Sequence, residues 1–201
     1  MILYIATSLD GKIAKKDGSI DWLTIFEFTP ELQKNYDDLL SRVDTSIMGY
    51  QTYEQIKDFE PFPYPQLQNY VFSKTKTKLS QSKEHAKHHA SVELCYSDSE
   101  EMLIDQVKSL KSEENRKDIF LIGGSQIISP LLNAHLIDEI IITYIPVYLA
   151  DDGIPLFYPH SDLILKPIKD AQIFNVKIKE QTYQLIQMTL KTEVESQKSI
   201  H

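Results

Sequence analysis

Two adjacent glycines, Gly123 and Gly124, close the apolar run at Ile119 to Ile122 and lead into SQIISPLLN, whose apolar residues return at helical spacing. A strand that feeds a helix through glycines turns sharply and lets a ligand approach the backbone. The free amides and positive dipole end of the new helix then favour an anion such as phosphate. The same pair also suits a tight turn with no ligand. Neither a G-x-G-x-x-G fingerprint nor a Walker A loop occurs in the chain. Two further strand ends offer similar groups: Met48-Gly49-Tyr50-Gln51-Thr52-Tyr53-Glu54 runs into a short helix, and Ser73-Lys74-Thr75 presents hydroxyls and an ammonium. Ligands of open parallel sheets collect outside the carboxyl ends of the strands, so these ends can serve one ligand together.

Among carboxylates, Asp10 lies in the Ser8-Leu9-Asp10-Gly11 turn, where it could orient a polar substrate or relay a proton, although Asp-Gly is a favoured turn pair in any protein. Glu31 opens a helix, a place the dipole favours for any acid. His85 and His89 have the spacing of a helical metal pair, but SQSKEHAKHHA is polar and reads as a solvated loop or surface helix. Cys95 is the single cysteine, which excludes an internal disulfide and a multi-cysteine zinc cage. It reads as a small buried hydrophobe. No metal site is expected.

The elements that must position these groups alternate. Short apolar runs at Met1 to Ala6, Ile47-Met48, Tyr70 to Phe72, Ile119 to Ile122 and Ile140 to Ile145 read as strands buried on both faces. Helical spacing lies between them. Thr29 is an N-cap ahead of Pro30, with Leu32, Tyr36, Leu39 and Leu40 on one face, and a second helix spans Ser99 to Leu110. Pro130 falls deep enough in the helix after the glycines to kink it. The alternation predicts an α/β fold with a mostly parallel central sheet and helices on both faces. Period-two patterns between Ile173 and Leu190 add an antiparallel C-terminal strand pair at one edge. PFPYPQ, Pro61 to Gln66, reads as an extended surface crossing. We read residues 1–190 as a single domain and 191–201 as a frayed, polar tail.

The chain has 201 residues, enough for one well-buried domain, and a net charge of −8, which argues against a nucleic-acid or anionic-membrane partner. No run approaches the length of a membrane span and no signal peptide is evident. A cytoplasmic location is expected.

The order of motifs resembles the dihydrofolate-reductase superfamily: ATSLDGKIA at Ala6 to Ala14, DWL at Asp21 to Leu23, IMGYQTYE, VFSKT, IFLIGGSQI and ITYIPVYLADDGIPLF. Within it, SLDGKIA and the G-I-P-L-F close are similar to the reductase domain of bifunctional riboflavin-biosynthesis proteins. The resemblance implies a dihydrofolate-reductase-like three-layer fold and an NADPH-dependent hydride transfer to a small heterocyclic or carbonyl substrate. It places the nicotinamide near Ala6, Ile13 and Gly124, and the adenosine phosphates on Gly49, Tyr50 and Thr52, on Ser73, Lys74 and Thr75, and on Gly123, Gly124, Ser125, Gln126 and Ile127. The position after the M-G pair is commonly an arginine that meets the 2′-phosphate. Here it is Tyr50, which leaves NADH open as the cofactor, and Lys74 is the nearest cation. On the substrate side the resemblance points to Asp10, Trp22 and Gly153, with Glu31 and Thr143 in the roles of the carboxylate and supporting threonine of folate reductases. Glu31 is out of register by one or two residues. Folate is therefore not the expected substrate. Homodimers are common in the riboflavin branch, and the terminal strand pair offers an edge. The H-x-E and P-C-x-x-C signature of an attached deaminase is absent. A protein that kept the groove as a non-catalytic nucleotide-binding or regulatory module is the alternative.

Overall fold

The computed structural model describes residues 1–25, 28–87, 91–150, 153–158, 164–178 and 181–193. Its frame is a run of strands and helices in alternation. Strand β1 (Ile2–Thr7), the short β2 (Lys12–Ala14), helix α1 (Pro30–Arg42), β3 (Val43–Gly49), α2 (Tyr50–Ile56), β4 (Gln68–Ser73) and α3 (Lys76–Lys87) come first. Then follow β5 (Val92–Tyr96), α4 (Glu100–Lys111), β6 (Asp118–Gly123), α5 (Ser125–Asn133), β7 (Glu139–Tyr144) and β8 (Ile154–Pro155). The chain closes with β9 (Ile164–Pro167), β10 (Gln172–Ile178) and β11 (Gln181–Glu193).

The main sheet runs β10-β11-β7-β1-β6-β3-β4-β5, with β9 also paired to β11. From β7 to β5 every pairing is parallel, because each return passes through a helix, while β11 lies antiparallel to β7, β9 and β10. Side chains alternate across β1. Leu3 packs with Leu103, Val107, Ile128 and Leu131 of α4 and α5, while Ile2 packs with Leu39 of α1 on the other face. Helices thus cover both faces, as the continuous apolar runs require. Thr29 caps α1 as expected, its Oγ1 accepting the Leu32 amide at 3.3 Å, and Ser99, read from the sequence as the first helical residue, instead caps α4, its Oγ accepting the Met102 amide at 3.1 Å. Each such cap stabilises its helix by about 1 kcal/mol.

Several expectations need correction. β11 continues past Leu190 to Glu193, because Ile164 to Pro167 supplies it with a partner strand where a frayed tail was expected. Residues 194–201 lie outside the described residues. VELCY forms the edge strand β5, which its single alternating polar residue Glu93 disguised, and Cys95 is half-buried there with its thiol pushed up to about 12 by burial. PFPYPQ is more than a surface crossing: Phe62 is buried beside Met48, Tyr53 and Val71, and Tyr64 meets Phe62 and Phe120 edge-on. Helix α5 runs through Pro130 to Asn133. The backbone at His85 belongs to α3, whereas His88 and His89 lie outside the described residues.

Candidate functional site

The carboxyl ends of β6, β3 and β4 lie side by side, with Met48 level with Gly123 and Gly49 level with Phe72. Three motifs separated in sequence therefore meet at one edge of the sheet. Gly123 and Gly124 have φ of 139° and 91°, a region that side-chain-bearing residues rarely adopt, so both turn positions require glycine. A Cβ on Gly124 would stand 3.5 Å from Thr52 Oγ1, and one on Gly49 would stand 3.2 Å from Ile127 Cγ1 and 3.7 Å from the Gly123 carbonyl. Gly49, Thr52, Gly123, Gly124 and Ile127 thus form one continuous cradle. Sequence reasoning missed Ile5, whose Cδ1 lies 3.5 Å from the Cβ position of Gly123. The pairing of Leu3 with Leu121 carries Ile5 level with that glycine, a signal visible only once β1 and β6 are known neighbours.

Helices α1 and α4 begin at hydroxyl caps, whereas α2 and α5 begin at Gly49 and Gly124 with no side-chain cap. In α5 the Ile127 amide already donates to the Gly124 carbonyl at 2.8 Å; the earlier amides of Ser125 and Gln126, and the start of α2, have no side-chain cap and open on the cradle. This arrangement fits the phosphates of a nicotinamide dinucleotide.

The neighbouring predicted residues divide by what they already hold. The Ser125 hydroxyl donates to the Pro155 carbonyl, so Ser125 offers a ligand its backbone. Ser73 Oγ accepts the Thr75 amide at 3.1 Å and braces that turn, leaving Lys74 and Thr75 exposed. Tyr50 bonds Ser82 across 3.0 Å. Gln126 is exposed beside a cleft of about 330 Å³ that Lys74, Glu100, Ser129 and Tyr158 also line.

In the turn after β1, Asp10 Oδ1 accepts from the Ser8 hydroxyl at 2.7 Å and from the Leu149 amide at 3.0 Å. Burial works against its charge, but these two donors outweigh it and hold the carboxyl below the usual range. Asp10 therefore ties the β1–β2 turn to the loop after β7. Nearby, a groove of about 500 Å³ is lined by Lys15, Lys16, Asp17, Tyr148 and Leu149. Ile13 packs on the α4–α5 side of the core and Ala6 on the α1 side. Gly153 passes under the stem of Lys12, where a Cβ would come within 2.6 Å of Lys12 Cγ, so it fixes the small β2–β8 ribbon. Trp22 is buried with Leu32, Ile145 and Phe174, and its indole N–H has no hydrogen-bond partner among the described residues.

Glu31 is exposed in the first turn of α1. The α1 residue that reaches toward Thr143 is Asn35, through Gln187: Gln187 Nε2 donates to Thr143 Oγ1 at 3.0 Å and to the Tyr4 hydroxyl at 3.1 Å, and its Oε1 accepts from Asn35 at 3.0 Å. Burial raises the Tyr4 phenol. An inward Gln187 between Leu185 and Thr189 was readable from the period-two pattern of β11 as a polar residue on an apolar face, and it was overlooked. Among the described residues no group of three or more His, Cys, Asp or Glu could hold a metal, and no helix is long and apolar enough to cross a membrane.

This is the dihydrofolate-reductase-like fold. The chain aligns with dihydrofolate reductase of Enterococcus faecalis, complexed with NADP(H), at a TM-score of 0.57 and 16% identity over 96% of both chains, a likeness of fold alone. Residues 1–173 match the model of the RibD C-terminal domain, and the chain belongs to that family, whose reductase character the fold shares. A Shewanella sp. PV-4 protein provisionally named for riboflavin biosynthesis is 29% identical, with a TM-score of 0.71 over 96% of this chain and 98% of its own. The uncharacterized protein YwjB of Bacillus subtilis strain 168 is 40% identical over 163 residues, 78% of this chain and 82% of that protein.

Proposed function

We propose that the chain is a nicotinamide-dependent reductase that takes NADPH and reduces a small heterocyclic or carbonyl compound other than dihydrofolate. The observation that carries this reading is the meeting of two uncapped, glycine-headed helix starts at one cradle, in a protein whose other N-capped helices use hydroxyls. Gly49, Thr52, Gly123, Gly124 and Gln126 would hold the pyrophosphate through backbone amides and the Thr52 hydroxyl, with the Ile127 side chain closing the cradle against Gly49. Ala6 and Ile13 would flank the nicotinamide, which supplies the hydride when bound. Asp10, Trp22 and Thr143 take the substrate side, with the Trp22 N–H as an unsatisfied donor, and Gly153 shapes the loop beneath it. The exposed position of Glu31 supports no folate carboxylate role. We place the enzyme in the cytoplasm, as a homodimer through the β10 edge.

Trp22 is the single tryptophan, so energy transfer from protein to reduced nicotinamide reports binding, and cofactor absorbance across a panel of dihydrofolate, riboflavin-pathway pyrimidines and small carbonyls reports turnover. No saturable transfer with either NADPH or NADH would overturn the reading. One observation favours a binding protein without catalysis. The Asp10 carboxylate is already engaged by Ser8 and Leu149, and Glu31 faces solvent, so neither of these two acids is free to act beside Thr143. Saturable binding with no turnover across the panel would favour that second reading.

A further inference from the structure

We infer that Tyr4 is the proton donor of the proposed reduction: Gln187 and Thr143 hold its phenol oxygen, so that its own proton is delivered to the atom left negative when the substrate is reduced. The inference rests on the nicotinamide reading above. Hydride addition needs a proton as well, and neither acid named for the substrate supplies it, since Asp10 already holds the Leu149 amide and Glu31 faces solvent. β1 is an interior strand of the sheet, yet Tyr4, Ile5 and Ala6 keep partial exposure between buried neighbours at Ile2, Leu3 and Thr7. The middle of the sheet is open there. Tyr4 and Ala6 share the face beneath α1, about 7 Å apart along the strand. Tyr4 itself lies level with Ile141, but its hydroxyl is bonded to Gln187, which is level with Thr143 and, through it, with Ala6. The ring thus leans toward the carboxyl end of β1, where the nicotinamide is placed, and Tyr36 backs it at 5.6 Å between centroids.

The direction of the hydrogen bonds decides the role. Asn35 donates to Gln187 Oε1 at 3.0 Å, and the Gln187 amide donates to Thr143 at 3.0 Å and to Tyr4 at 3.1 Å. A hydrogen bond from Thr143 likewise favours the ionised phenol. Both neighbours therefore act as donors to the Tyr4 oxygen, and among the described residues no acceptor takes the Tyr4 proton in return. Burial raises the phenol above its ordinary value, so it keeps its proton until a stronger base, an alkoxide or an amide anion, forms beside it. The same two donors then stabilise the phenolate, which makes Gln187 and Thr143 positioning residues. In the balanced step the carbon of a C=O or C=N bond gains the hydride that the cofactor supplies, and the π pair moves to oxygen or nitrogen. That atom takes the Tyr4 proton, and water at the half-exposed ring returns one to the phenolate.

The test compares wild type, Tyr4→Phe and Gln187→Leu, with Tyr36→Phe as control because it keeps the ring beside Tyr4 and removes only a hydroxyl bonded to Tyr64. NADPH binding is read by energy transfer from Trp22, and single-turnover hydride transfer by cofactor absorbance on a panel of small aldehydes, ketones and cyclic imines. The phenol is observed directly by carbon NMR of ring-labelled tyrosine in the presence of NADP+ and para-nitrophenolate, an oxyanion that stands in for the reduced substrate. Tyr4→Phe should bind NADPH within twofold of wild type, transfer hydride about a hundredfold more slowly at saturating substrate, and regain rate as imidazolium buffer is added. The wild-type rate should fall at alkaline pH as the phenol ionises, and in Gln187→Leu that fall should move to higher pH, because a donor to the phenolate is gone. The oxyanion should move the Tyr4 resonance in wild type, and Tyr36→Phe should change none of these readouts. A Tyr4→Phe rate within threefold of wild type, an equal drop in Tyr36→Phe, an unmoved Tyr4 resonance, an alkaline limit that stays in place in Gln187→Leu, or NADPH binding with no turnover across the panel would overturn the assignment and leave the cofactor reading standing. No saturable NADPH binding would remove that reading, and the assignment with it.

Discussion

Replacing Gln187 with leucine tests whether the face of the sheet beneath α1 is organised by one amide. Gln187 is 4% exposed, and its side chain makes three hydrogen bonds: to Thr143, to Tyr4 and from Asn35. Leucine keeps the volume and removes all three. Asn35 retains its bond to Gln172 at 2.9 Å, so the buried Thr143 hydroxyl and the half-buried Tyr4 hydroxyl are left without their donor. Each unsatisfied buried group costs about 1–3 kcal/mol, and the added apolar burial returns about 1 kcal/mol. The expected loss is about 1–5 kcal/mol, which for a chain of this size lowers Tm by roughly 2–20 °C. Urea melts of Gln187→Leu, Thr143→Val and the double variant would give the coupling energy. Tyr4 adds a second readout. Its hydroxyl is raised by burial and pulled back by the Gln187 bond, so ultraviolet titration should show it rising further in Gln187→Leu. A loss below 0.5 kcal/mol, strictly additive with Thr143→Val, would refute the reasoning.

Gly124→Ala forces a side chain onto a φ of 91° and should cost about 1–3 kcal/mol while the Thr52 contact stays ordinary at 3.5 Å; the thermal shift that NADPH gives the wild type should fall sharply in the variant, and an unchanged shift would displace the groove. The Asp10 carboxyl is held below its ordinary value, so its contribution is present above the unfolded value and lost as pH falls through the folded one; Asp10→Asn, which keeps the Oδ1 acceptor, should flatten the loss of stability below about pH 4 in acid titrations followed by circular dichroism. Cys95, with its thiol pushed up to about 12, should resist alkylation at pH 8 in the folded protein and react once denatured, as mass spectrometry would show.

Where one physical rule governed an element, its residues announced it. Thr29 before Pro30, the all-apolar β1 and the glycine pair after Ile122 each follow from local chemistry, and each lies where that chemistry puts it. The cradle was legible as three separate strand ends, but not as a surface: that Gly49 admits Ile127 and that Ile5 borders Gly123 depend on the order β1-β6-β3, which spacing along the chain does not carry. β9 and the extension of β11 stabilise each other and neither reads as a strand alone. The Asn35, Gln187 and Thr143 set joins residues far apart in the chain: the period-two pattern of β11 turns Gln187 inward, but nothing local names its partners.

The placement of β11 also has a consequence in time. This last strand lies between β7 on one side and β9 and β10 on the other, and it carries Leu185 and Gln187 onto the face that holds Trp22 and Thr143. A chain still being synthesised has β1, β6 and the glycine turn before it has β11. Until Gln181 to Glu193 emerge, β7 presents an open edge and Phe174 and Val176 lack their cover. The glycine cradle can therefore assemble on the ribosome ahead of the face that holds Trp22 and Thr143, and under the proposed function a dinucleotide bound early would stabilise the half-finished chain through that interval.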